Sequence, residues 1–404
     1  MSDLSKELSF FDIYLYSIGY IIGAGIFVLI GKVSKYSKRF TWLSFVIAGV
    51  FALIISASYL DISTIYKSNH GDYIFVKDTI GEIPAIITAL ILVGIGIFTN
   101  STVSLSIGKF LSPILSVSPL LISIVLIILF SILNCIGIRE TTTYNHGSTI
   151  IEILALLFIC FVGFFIHSPP KQKMLTSKVN IPDIAYASIL ALFVYSGFET
   201  TVKLSEEAKD SNDIPKAIVS SVISAIILYV FVSIAIIKCC NTDNLDQFPM
   251  PIVKMASILF GKNVSYLFYI IAILSITNTL LISILGTSRL LFSLSREYDI
   301  LEVLTKVNED TKTPIFAICV IALLSMLTLG IKNVETLASI TSYLIFFVFI
   351  ILNSCLIYVY QDKDIQSKLK GGWTYPINQG KPILPVLGLI VSVVLLSFGL
   401  LHKH

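Results

Sequence analysis

The sequence predicts an all-α polytopic membrane protein whose helices cross a bilayer about eleven times, and three observations carry that expectation. Of 404 residues, 55% are hydrophobic and only 13% charged, against roughly 25% charge in an average soluble chain; the mean hydropathy is +0.90. Apolar stretches long enough to span a bilayer recur along the chain with short connections between them. Two of those stretches, the first and the sixth, are interrupted by glycine where a plain spanning helix needs none.

A spanning helix takes roughly 20 apolar residues. Such segments fall at about 10–31, 41–64, 84–108, 118–138, 147–167, 183–204, 215–238, 263–292, 313–331, 335–360 and 383–401. The longest polar stretches, 67–81, 168–182, 241–261 and 361–382, read as loops or surface helices, so residues 1–404 form one transmembrane domain. Residues 1–9 lack a basic region and a small-residue cleavage site, and no removable signal peptide is expected. The six cysteines have no metal-ligand spacing and read as packing residues.

The first segment contains Gly19-Tyr20-Ile21-Ile22-Gly23-Ala24-Gly25-Ile26-Phe27. Each central glycine lowers helix propensity by about 1 kcal/mol against alanine and frees the backbone to leave helical geometry. Broken backbone at membrane depth is tolerated only where it is buried in protein or lines a cavity, and transporters aim such broken ends at a substrate. Close helix packing through small residues is the other reading of the same glycines. The sixth segment has its own interruption, Phe193-Val194-Tyr195-Ser196-Gly197-Phe198-Glu199. Breaks in the first and sixth segments correspond if the chain is a five-plus-five inverted repeat, with repeat one at about 10–167, repeat two at about 183–360 and an extra helix at about 383–401. Lys and Arg divide almost evenly between the two sides, so charge does not orient the chain.

Glu152 is the most informative single residue. In the fifth segment it shares one helix face with Asn145, Ser148 and Thr149, and that face is expected to look inward. An intramembrane carboxylate costs roughly 2.5–3.5 kcal/mol on insertion scales and is functional by default. Three readings stay open: a proton-coupling carboxyl, a cation ligand, or a structural hydrogen-bonding acid. Ser283 and Thr287, four apart, are candidate oxygen ligands for sodium, though helical hydroxyls commonly bond their own backbone. Asp61, Glu206, Glu207, Arg289 and Arg296 lie near helix ends and read as solvated or paired; Arg289 and Arg296 are also gate candidates with Glu206 or Glu207. Glu199, just past the sixth-segment break, is placed to pair near the site.

Several enzyme classes are excluded. The five histidines form no HExxH pair, no Gly-x-Ser-x-Gly elbow is present, and Gly23-Ala24-Gly25 lacks the further glycine of a dinucleotide loop. No basic block suits nucleic acid, and no filter-like repeat suggests a channel.

Five motifs in order resemble one family. They are Ile22-Gly23-Ala24-Gly25-Ile26-Phe27; Ser58-Tyr59-Leu60-Asp61 followed by His70-Gly71-Asp72-Tyr73; and Gly137-Ile138-Arg139-Glu140-Thr141 with Asn145 and Thr149. Tyr195-Ser196-Gly197-Phe198-Glu199 with Glu206-Glu207 and Ile214-Pro215-Lys216-Ala217-Ile218 is the fourth; Thr287-Ser288-Arg289-Leu290-Leu291 with Arg296 and Thr313-Pro314 is the fifth. In these the chain resembles the amino acid–polyamine–organocation (APC) superfamily of amino acid permeases, and among them the cationic amino acid transporter-like branch. The resemblance implies an integral, multi-pass protein of the plasma membrane that takes up an amino acid by alternating access. Backbone N–H groups of Gly23, Ala24 and Gly25 would receive the substrate carboxylate, as a helix N-terminus favours an anion. Carbonyls of Ile21, Phe193, Val194 and Ser196, around Gly197, would receive its ammonium. Phe193 falls at the family's aromatic gate, with Glu199 and Arg289 as further gate residues. No resident cofactor or metal is implied; a proton or sodium ion would be co-substrate, and many proton-coupled or sodium-independent relatives carry lysine where this chain has Glu152.

The chain departs from the resemblance in three further ways. It shows eleven spans where the family ordinarily has at least twelve. Gly94-Ile95-Gly96 stands where cationic-substrate relatives often carry an acid, which leans the reading slightly towards a neutral amino acid. Residues 109–119 hold no cysteine, so no disulfide-linked heavy-chain partner is implied. Proton-coupled uptake is the leading expectation, with exchange, sodium symport and a non-transporting sensor as alternatives.

Overall fold

The computed structural model describes residues 4, 6–165, 180–240, 242–248, 250–360 and 381–401. α1 (Phe10–Ser37) opens with a reciprocal cap: the Ser9 side chain accepts from the Asp12 N–H, while the Asp12 carboxylate accepts from the Ser9 N–H at 2.7 Å. At Gly23 the backbone leaves helical geometry (φ 10°, ψ −138°), so α1 is two half-helices joined at that residue. There follow α2 (Thr41–Ile65), the short α3 (Gly71–Ile80), α4 (Glu82–Leu115) and α5 (Pro119–Ile136). α5 starts with proline at its first position, where a missing N–H is harmless, behind a Ser118 cap.

α6 (Ile138–Phe165) begins earlier than the expected 147. Its polar first turns do not end the helix, because Thr141 and Thr143 turn their hydroxyls onto the carbonyls of Gly137 and Arg139. α7 (Ile181–Tyr195) stops at Ser196-Gly197. Gly197 has φ +124°, a region comfortable only for glycine, and the chain resumes as a 3-10 stretch, Phe198–Leu204. α8 (Asp213–Cys239), α9 (Pro251–Phe260), α10 (Lys262–Ser295), α11 (Ile315–Thr328), α12 (Val334–Val359) and α13 (Ile383–Leu401) complete the chain.

Among the described residues, eight stretches are long and apolar enough to cross a membrane, and four shorter apolar helices accompany them. Three of the shorter ones, in α7, α11 and α13, lie at the expected sixth, ninth and eleventh spans. The fourth is α9, in a stretch read as loop or surface helix. α5 and α6 turn large apolar side chains outward (Leu129 is 55% and Phe161 56% exposed), the face a helix gives to lipid. α10 is buried along most of its length, and α1 packs against α7, α8 and α10, which sets both broken helices at the centre of the bundle.

Candidate functional site at the two helix breaks

The two interruptions meet. A Cβ on Gly25 would lie 3.0 Å from the Val194 Cγ1 and 3.2 Å from its Cα, and one on Gly197 would lie 2.1 Å from the Tyr20 ring. One on Gly23 would lie 2.0 Å from the Thr279 hydroxyl of α10. Broken backbone and close packing, the two readings of these glycines, are thus both present. The Tyr229 hydroxyl of α8 spans the junction, donating to the Ile21 carbonyl at 2.7 Å with the Val194 carbonyl at 3.4 Å. The Ile21 carbonyl, a candidate ammonium acceptor, thus already accepts one protein hydrogen bond and keeps a second lone pair. Tyr229 carries no sequence signal of its own, being one aromatic in an apolar helix; its role follows from how α8 packs on α1. The side chains of Ala24 and Phe193 lie outside the described residues, and with them the expected aromatic gate.

Ser196 is half-buried beside a cavity of about 20 Å³, room for roughly one water. Its other walls are Ile55, Leu192, Phe198, Ile345, Phe346 and Phe349, with Ser342 the one further hydroxyl. Tyr195, by contrast, is fully buried and donates to the Phe45 carbonyl at 2.9 Å, a packing role.

Glu152 is fully buried, as are Thr149 and, nearly so, Asn145 and Ser148 on the same face. Glu152 accepts a hydrogen bond from the Ser275 hydroxyl of α10 through Oε1, and its Oε2 has no partner. Asn278 donates to the Asn145 Oδ1 at 3.0 Å and to the Thr149 hydroxyl at 3.1 Å. This polar patch borders α1 just before its break: a Cβ on Gly19 would lie 2.2 Å from the Thr149 hydroxyl. Of the candidate sodium ligands, Thr287 donates to the Ser283 carbonyl at 2.7 Å, on its own helix. Gly96 in α4 packs onto Thr287, a Cβ there lying 1.9 Å from its hydroxyl, so no acidic side chain fits at that point without displacing α10.

The end of the bundle that holds the N-terminus is closed by ion pairs. Arg289 and Glu207 are 0% and 1% exposed, and the Arg289 Nε lies 3.2 Å from both Glu207 oxygens. Its Nη1 and Nη2 have no partner. Arg296 reaches Glu206 at 2.9 Å, and Glu206 also accepts from Ser68, Ser293 and the Asn69 N–H. Burial pushes the Glu206 carboxyl up, but Ser293, Arg296 and the Asn69 and Ser68 donors outweigh it and hold it below the usual glutamate range. Burial lowers the neighbouring His70, against the pull of Glu206 and Glu297. Leu8 and Ala208 form a short backbone pairing, with Leu8 N–H to the Glu207 carbonyl at 3.0 Å and Lys209 N–H to the Leu8 carbonyl at 2.8 Å.

Asp61, Glu207 and Arg289 are buried; Asp61 accepts from the Tyr360 hydroxyl at 2.8 Å. Arg289 takes Glu207 as its partner, whereas Glu199 turns back to accept the Gly197 N–H at 2.7 Å, at the start of the 3-10 stretch that follows the break.

Residues 8–402 match the sequence profile of the amino acid permease family. The chain is 26% identical to a branched-chain amino acid permease of Bacillus subtilis (strain 168), over 97% of this chain and 88% of that one. It is 25% identical to cationic amino acid transporter 5 of Arabidopsis thaliana, over 89% of this chain and 67% of that one. With cationic amino acid transporter 4 of Mus musculus it shares 25% identity, over 84% of this chain and 58% of that one. Two centrally packed broken helices and a match over nearly the whole length lead to one conclusion: this multi-pass integral membrane protein belongs to the amino acid permease family of the APC superfamily, a family of transporters and not of enzymes.

Proposed function

We propose that the protein is a secondary active transporter of the plasma membrane that takes up a neutral, apolar amino acid together with a proton. The observation that carries this reading is the junction of the breaks at Gly23 and Gly197, held on both sides by Tyr229. Backbone N–H groups at Gly23, Ala24 and Gly25 open the second half of α1 and favour the substrate carboxylate. The carbonyls of Ile21, Phe193, Val194 and Ser196 would receive the ammonium, while the Gly197 N–H is taken by Glu199. The uncharged, largely apolar walls beside Ser196, the fit of Gly96 on Thr287 and the branched-chain permease relative support a neutral side chain over a basic one. Glu152 supports proton coupling, being buried beside the first break with one oxygen unpartnered. Residues 10–167 and 183–360 are the two repeats that rock about this site, with 383–401 outside them.

The test is radiolabelled uptake into proteoliposomes with neutral and basic amino acids, under an imposed pH gradient and then a sodium gradient. Leucine-like substrates are expected to accumulate with the pH gradient, and Glu152→Gln is expected to lose that dependence while remaining folded. Uptake driven only by internal amino acid would make the protein an exchanger and Glu152 a structural acid. Binding without any flux would make it a sensor.

A further inference from the structure

Between α2, α3 and the 3-10 stretch after α7 lies a cluster of ionisable side chains of which the site described above uses only Glu199. Tyr59, Asp72, Glu199 and Lys203 are 1%, 5%, 6% and 3% exposed. Asp72 Oδ1 and the Tyr59 hydroxyl have no hydrogen-bond partner, so a buried acceptor and a buried donor are both unsatisfied here. Asp72 and Glu199 each lie within electrostatic reach of Lys203, and Tyr59 within reach of both carboxylates. The Tyr59 ring packs edge-on against Phe198, centroids 5.8 Å apart, which sets its hydroxyl in this group. The Lys203 stem has room because α10 carries Gly286, where a Cβ would lie 3.4 Å from the Lys203 Cδ.

Two carboxylates and one ammonium leave a buried net charge of −1 when all three are ionised, and an uncompensated buried charge is strongly disfavoured. One added proton removes it. We propose that Tyr59, Asp72, Glu199 and Lys203 form a second proton-binding site, separate from Glu152, with Asp72 as the group that takes the proton. The charged and titratable surroundings are those already named, with Tyr20 of α1 facing Glu199 and the Arg289–Glu207 pair self-neutralised on the α10 side. From α4 and α12, which also pack on α3, no charged group of the described residues acts on Asp72. Burial pushes the Asp72 carboxyl up to about 7, with Lys203 pulling it down and Glu199 pushing it up.

The consequence reaches the helix break. With Asp72 protonated, Lys203 serves Glu199 alone, and Glu199 holds the Gly197 N–H. With Asp72 ionised, the ammonium is shared between two carboxylates and its hold on Glu199 weakens. The proton comes from bulk water and returns to it, and no other bond is made or broken. The site's part in coupling rests on the transport reading; its titration does not.

The test is infrared spectroscopy of the full-length protein in lipid nanodiscs, following the protonated-carboxyl stretch across a pH titration. Wild type is expected to lose such a band near pH 7. The band should persist in Glu152→Gln, vanish in Asp72→Asn and return in Asp72→Glu. In Lys203→Gln its midpoint should rise by about one pH unit or more, because the stabilising ammonium is gone. A neutral-range band that survives Asp72→Asn, or none in wild type, overturns the site. Uptake driven by a pH gradient is measured in parallel. An Asp72→Asn variant that lacks the band yet follows the pH gradient like wild type overturns the coupling role. Absence of transport from every preparation, wild type included, sinks the transport reading and the coupling role, and the infrared titration then decides the site alone.

Discussion

Asp72 places a measurable pH dependence on folding. Its carboxyl rises from the ordinary 3.8 to about 7 on burial, so the folded state binds the proton more tightly than the unfolded chain. The associated stability is fully present below about pH 4 and is lost as pH rises through about 7; the shift corresponds to a few kcal/mol at most, of order 4. Asp72→Asn is therefore expected to raise the thermal midpoint at alkaline pH and to converge on wild type towards pH 4. Denaturation scans of the detergent-purified protein check this, and a variant that melts below wild type at alkaline pH would contradict it. Residues such as Asp72 and Tyr229 show where sequence reading stops. A tyrosine in an apolar run and an acid between two spans look ordinary in one dimension. They gain meaning only when α8 meets α1 and when α3 folds against the stretch that follows α7.

Glycine spacing, by contrast, is a local signal, and the interruptions of α1 and α7 are legible from it. Each lies in an apolar run otherwise long enough to span, and the structure turns at Gly23 and at Gly197. Helix starts are less legible, as α6 shows: polar residues that look like a connection are absorbed by bonding to their own backbone. Burial near helix ends is less legible: Arg289 and Glu207 read as solvated or paired, and how deeply the pair sits follows only when its neighbours close around it. At the element scale the tight approach of α1 to α7 makes its own prediction. Gly25→Leu drives a branched side chain into Val194, whose backbone is among the atoms in the way. Transport is expected to fall to background, with normal amounts of protein in the membrane. Retained uptake with unchanged affinity would remove the break from the substrate site.

For the whole molecule, the described conformation is shut at the end holding the N-terminus. Arg289–Glu207 is the deepest of its locks, and its two unpartnered nitrogens make it an imperfect one. Removing one partner of a buried pair leaves an uncompensated charge, at a cost of about 3–5 kcal/mol, whereas replacing both by apolar residues is often near neutral. Arg289→Leu alone is expected to lower the thermal midpoint clearly, and Arg289→Leu with Glu207→Leu to restore most of it. If the pair also sets the conformational equilibrium, the double variant recovers stability without recovering flux, read by melting and uptake on the same samples. Equal recovery of both would assign the pair to folding alone.

The pairing of Leu8 with Ala208 has a different character from those locks. Its bonds run from main chain to main chain, at Leu8 N–H and Lys209 N–H, so they ask nothing of the side chains that flank them. Only an imino acid at position 8 or 209 deletes a donor outright. The ion pairs beside it depend on particular charged residues; the bonds of this seam depend on the backbone, while the buried Leu8 and Ala208 side chains still limit what can stand there. Substitutions that keep those two small or apolar are therefore expected to leave this fastening in place.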